Sequence, residues 1–194
     1  MAPWSVLWVQ FILTISVTRP CNLLKTISSP SQSLARECRI EYLISEQKFN
    51  SLPEEEKVYW HSHKYEVESG VLMQMHVAGR EGTVPEEEER GMMMAVHQTF
   101  GKVIHTWNVD RHPDLPLGPP SLMMSYTKPE MVNWEQVKKR DEEQGVDTAD
   151  RSKIRAGYLP LDYAKNQNAD KWMETGKQVQ FESIERPLKG GLDK

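Results

Sequence analysis

Between Arg111 and Pro120 the chain reads RHPDLPLGPP, with four prolines and a glycine in ten residues. Proline has no amide donor and a fixed φ, so this stretch is neither a helix nor a central strand. It is expected to be an ordered or extended loop. Everything else must fold around it. Before it, KVIHTWNVD (Lys102–Asp110) alternates Val103, His105, Trp107 and Val109 on one face, which predicts a strand. After it, SLMMSY predicts another.

Upstream, CRIEYLIS (Cys38–Ser45) mixes β-branched, aromatic and polar residues in rough alternation and also reads as a strand. In SLPEEEKVYW, Ser51 with Glu54 three residues on resembles a capping box, and Pro53 suits a first helical turn. HKYEVESGVLMQMHV alternates Tyr65 and Val67, then Val71, Met73 and Met75, so two strands, or one bent at Gly70, are expected. A second helix is signalled by Thr83, Pro85 and the acids Glu86–Glu89. Its apolar stripe is Met92, Val96 and Phe100, with Gly101 as a C-cap. Beyond the loop, a helix opens at Pro129, carries Met131, Trp134 and Val137, and ends at Gly145. Asp147 or Thr148 caps another around Asp150–Ala156. These elements predict one α+β domain, a mainly antiparallel sheet flanked by helices, with an extended proline-rich loop.

The domain is expected over residues 36–158, with an irregular tail at 159–194 and an apolar leader and linker at 1–35. The leader's run from Trp4 to Val17 is about 14 residues, shorter than the roughly 20 that a spanning helix needs. Three readings stay open: an atypical secretion signal within residues 1–18, a shallow anchor, or a wrongly assigned first exon. No transmembrane helix is expected. Net charge is −4; residues 1–35 carry +2, which leaves −6 for the rest. An acidic body without a Lys/Arg cluster argues against nucleic acid as a partner. Cys21 and Cys38 are too few for a disulfide framework.

The chemistry concentrates in YWHSHKYEVESG (Tyr59–Gly70). On a strand, His61 and His63 point to one face and could converge on one ion. His105, on a second strand beside Trp107, is a third candidate ligand for a divalent metal. Glu66 and Glu68 are candidate carboxylate ligands, but an ideal strand sets them opposite His63, so a bulge would be needed. The competing reading has His61 and His63 bonding buried polar groups, packed by Trp60 and Trp107. His97 borders the methionine stripe and reads as a core-edge residue, while His76 and His112 sit near turns. Ten methionines read mainly as core filling. No phosphate loop, nucleophile elbow or Cys-x-x-Cys is present, which disfavours the familiar enzyme classes.

The segments LPEEEKVYWHSHKYEVESGVL, FGKVIHTWNVDRHPDLPLGPPSLMMS and KRDEEQGVDT resemble, in order, the oil body-associated protein family over about residues 37–155. The resemblance implies a non-enzymatic protein of unknown molecular activity at a lipid-droplet surface, in the cytoplasm. A metal- or small-ligand-binding protein or enzyme with a His-rich pocket is the alternative, and secretion follows if residues 1–18 act as a signal. Family members usually carry a His- and Cys-containing segment ahead of the first strand; here the apolar leader replaces it.

Overall fold

The computed structural model describes residues 39–74, 84–108, 111–112, 115 and 117–186. The leader, both cysteines, Met75, His76, Thr83 and Val109 lie outside the described residues, as do residues 187–194 of the tail expected at 159–194. The fold is the α+β domain expected, built on an antiparallel sheet. Its centre is β3 (Thr99–His105). Along one edge β1 (Arg39–Ser45) pairs with all of it, from Arg39 opposite His105 to Ser45 opposite Thr99. The other edge is shared: β2 (His61–Ser62) pairs with Phe100 and Gly101, and β4 (Ser121–Met123) with Val103 to His105. The proline-rich segment lies between β3 and β4.

Helices α1 (Glu46–Asn50), α2 (Glu54–Lys57) and α3 (Lys64–Glu68) sit between β1 and β3, followed by α4 (Glu86–His97). After β4 come a 3-10 turn at Pro129–Met131, then α5 (Trp134–Gln144), α6 (Thr148–Ala156) and α7 (Trp172–Thr175). Caps explain several boundaries. The Asn133 and Asp147 side chains accept the Gln136 and Asp150 amides at the starts of α5 and α6. Gly145 closes α5 in the left-handed conformation, φ 62°, as its type and position predicted.

Other expectations are corrected. Tyr65 and Val67 belong to helix α3, and no strand follows at residues 71–74. Five residues are too few to separate a period of 2 from 3.6, and the Lys64–Glu68 ion pair, one turn apart, favours the helix. Ser51 does not start α2; its hydroxyl donates to Lys48 O at the end of α1. Pro53 precedes α2 without a side-chain cap. Helix α4 ends at His97, so Phe100 and Gly101 fall inside β3, and its buried side is Glu89, Met93, Val96 and His97. The strand expected from Lys102 starts at Thr99 and ends at His105.

Two apolar clusters form the core. Phe49 stacks on Phe100, ring centroids 4.0 Å apart, with Trp60 and Ala169 around them. The helical side packs Val67, Leu72, Met93, Val96 and Leu159. Through the second runs a fully buried ion pair. Arg155 of α6 donates to Glu89 Oε1 of α4 at 2.6 Å, to Val67 O of α3 at 2.7 Å and to Leu72 O at 2.7 Å. Beside it, α3 is followed by Gly70 at φ +78°, and a Cβ there would lie 2.2 Å from Thr148 O.

Two outcomes follow for stability. Arg155→Met leaves Glu89 buried without its main partner and costs about 3–5 kcal/mol in urea unfolding, whereas adding Glu89→Leu recovers a large part of that loss. Gly70→Ala combines left-handed strain with a backbone collision against α6 and lowers stability by about 2–5 kcal/mol. A wild-type unfolding midpoint for Gly70→Ala would refute the close contact between α3 and α6.

Candidate metal centre

Residues directly opposed in an antiparallel pair share a face of the sheet. Gly101, in the middle of β3, stands opposite Leu43 on one side and His61 on the other. Glu41 is two residues from Leu43, so its side chain joins that face beside His61. His63 lies just past β2 at the start of α3, and its amide bonds Thr99 O at 3.3 Å, which folds it back over β3. The geometry brings three donor atoms together. Glu41 Oε1 is 2.9 Å from His63 Nε2 and 3.5 Å from His61 Nε2. The two rings lie edge to face, centroids 5.1 Å apart. Both histidines are buried, and the Glu41 side chain is only 11% exposed.

Burial pushes the Glu41 carboxyl upward, but hydrogen bonds from His61 and His63 and their charge outweigh it and hold its pKa at about 2. The centre therefore keeps a carboxylate charge across the physiological range. On its far side, His63 Nδ1 is 2.8 Å from Thr99 Oγ1. Among the described residues, Glu41, His61 and His63 are the group of histidine, cysteine and acidic side chains whose donor atoms lie within 4.8 Å of one another. Two imidazoles and a carboxylate suit a borderline divalent metal.

The pairing of His61 with His63 was legible from the sequence; their third partner was not. His105 sits on β3 opposite Arg39 and Ser121, outside this donor group. Glu66 and Glu68 ride on α3, turned to other work. Buried Glu66 accepts the Tyr126 amide at 3.4 Å, and Glu68 Oε1 holds His97 Nε2 at 2.8 Å and Lys64. His97, expected at the core edge, is fully buried there, its ring 5.5 Å from that of Tyr163. Trp60 and Trp107 are buried, donating to Glu56 Oε1 and His112 O. Glu41 did leave a signal: in RIEYLIS it is the acid on a strand otherwise rich in apolar residues.

The chain is similar to oil body-associated protein 2A of Arabidopsis thaliana, 38% identical over 154 residues, covering 77% of this chain and 58% of that relative. It is 37% identical to oil body-associated protein 2A of Zea mays over 158 residues, covering 80% and 60%. With oil body-associated protein 1A of Zea mays the identity is 45% over 94 residues, covering 48% and 37%. The chain thus spans about 60% or less of the length of these relatives. No solved structure matches it. A family model matches residues 25–158, about two thirds of the chain, and the chain belongs to that family, described as protein of unknown function (DUF1264).

Proposed function

We propose that the chain is a peripheral, non-enzymatic lipid-droplet protein. The observation that carries this reading is its 38% identity over 154 residues to a relative named for association with oil bodies. Among the described residues no helix is long and apolar enough to cross a membrane, which fits attachment from one side. The C-terminal segment supplies a surface of the right kind. The Gln178 and Gln180 amides bond Leu122 O at 2.7 and 2.9 Å, and Gln180 Oε1 accepts the Leu122 amide at 3.2 Å. These bonds tie the segment along β4 and leave Val179, Phe181 and Ile184 exposed, Ile184 by 64%. Apolar side chains held outward on a tethered segment can enter the acyl boundary of a phospholipid monolayer.

The full chain, fluorescently tagged at its C-terminus and expressed in lipid-loaded cells, is expected on droplets and in the floating fraction. Phe181→Asp with Ile184→Asp lowers the floated share several-fold while the chain remains folded by circular dichroism. A full chain that stays in the soluble fraction, or is recovered from the medium, overturns the reading.

A further inference from the structure

Gly101 has no conformational reason to be glycine. It lies mid-strand, and its φ falls outside the left-handed region that favours this residue. What it supplies is space. A Cβ built there would lie 2.5 Å from Glu41 Oε1, 2.7 Å from His61 Nε2 and 2.7 Å from His63 Nε2. One point above the strand is therefore nearly equidistant from three donor atoms. Metal–nitrogen and metal–oxygen bonds to such ligands run about 2.0–2.2 Å, so three donors already within 4.8 Å of one another need only small shifts to hold one ion among them, on the side away from the Gly101 backbone. Glycine inside a strand commonly marks this kind of close approach.

The hydrogen bonding around His63 points the same way. Thr99 Oγ1 donates its one proton to Val96 O at 2.7 Å. Toward His63 Nδ1, at 2.8 Å, it can therefore only accept, so Nδ1 carries a hydrogen. In the neutral ring Nε2 is then bare and aimed at a carboxylate oxygen 2.9 Å away. Two lone pairs at that distance need a positive charge between them: a second proton on His63 or a cation. A proton satisfies His63 and Glu41 alone. A neutral His61 can likewise donate Nε2–H to that oxygen, so a cation is favoured by the convergence of all three donors on one small space rather than by the protons. A ligating histidine that donates its other N–H to a fixed acceptor is the usual outer-shell arrangement of a metal site.

We infer that Glu41, His61 and His63 bind one divalent first-row transition ion of the zinc class over Gly101, with Thr99 orienting His63. Imidazole donors select against magnesium and calcium, which prefer oxygen. Three protein ligands leave a position on the ion for a further donor. The inference is independent of droplet association: it holds or fails whether or not the chain floats.

Zinc titration of the untagged, chelator-stripped full chain, with elemental analysis after dialysis, tests it. Wild type is expected to retain one zinc per chain in the presence of excess magnesium. Glu41→Gln, His63→Gln and Gly101→Ala lose it, each first shown to keep the wild-type circular dichroism; Glu41→Gln, the nearest in shape, decides if the others misfold. Thr99→Val weakens binding about 10–100-fold and Thr99→Ser restores it. His105→Ala keeps full stoichiometry. Cobalt, used as a reporter, gains visible absorption in wild type and not in Glu41→Gln. Absence of stoichiometric zinc from wild type, equal zinc in wild type and Glu41→Gln, or displacement by magnesium overturns the site.

Discussion

The guanidinium of Arg155 is the point on which the helical side of the fold is assembled. With no exposed surface, it joins three groups that lie 66 to 88 residues before it: the carboxylate of Glu89 on α4, the carbonyl of Val67 on α3, and that of Leu72 beyond Gly70. Charges out of water are tolerable only when their hydrogen bonds are made, and a buried pair often adds little over well-packed apolar residues. Its contribution here is arrangement. A fork of donors with fixed geometry accepts one placement of α3, α4 and α6, where leucines and methionines would accept several. Gly70 adds a steric limit, since any side chain there would run into Thr148 O.

That arrangement reaches the sheet through a short path. Helix α4 ends at His97, and β3 starts at Thr99. The Thr99 hydroxyl bonds back to Val96 O in the last turn of α4 and faces His63 Nδ1. Glu68, on α3, grips His97 from the other direction. The orientation of His63 is thus set by the same helices that Arg155 locks, while Glu41 and His61 are set by strand register. A centre held from two sides by the rigid parts of a fold is better fixed than one on a loop.

How much of this was legible depended on the range of each signal. Caps and stops are local, so Asp147 and Gly145 declared themselves, as did the strand at Arg39–Ser45. The alternation of Tyr65 and Val67 suggested a strand because the one local competing cue, the Lys64–Glu68 ion pair, is weak, and the contacts of α3 to α4 and α6 involve partners the segment alone cannot show. Gly101 was assigned as a helix cap because glycine after an apolar stripe usually is one. Its actual role follows from side chains 40 and 60 residues upstream. Glu41 was missed for the same reason. Strand pairing across an intervening helix-rich segment brings it to the histidines, and no spacing rule within YWHSHKYEVESG contains it.

The pleat of β1 shows how far that grouping dominates. Along Arg39–Ser45 the inward positions include Glu41, while Ile40 and Tyr42 face out, 39% and 45% exposed. This inverts the usual half-buried strand, and a slip of one residue would exchange the two sets. The slip would bury Ile40 and Tyr42, each worth about 1.5–3 kcal/mol when fully covered. It would also expose Glu41, tear its bonds to His61 and His63, and turn Leu43 outward. Hydrogen bonds to a charged group are worth about 1.5–3 kcal/mol each. Polar contacts and forgone apolar burial are therefore of the same size, and the packing of Ile44 against the Phe49–Phe100 cluster adds to the side of the observed register. The inferred ion, if bound by both histidines and the carboxylate, would add several kcal/mol to one register only. The grouping of Glu41 with His61 and His63 thus opposes the apolar pull of Ile40 and Tyr42 and helps to set which face of β1 meets the solvent.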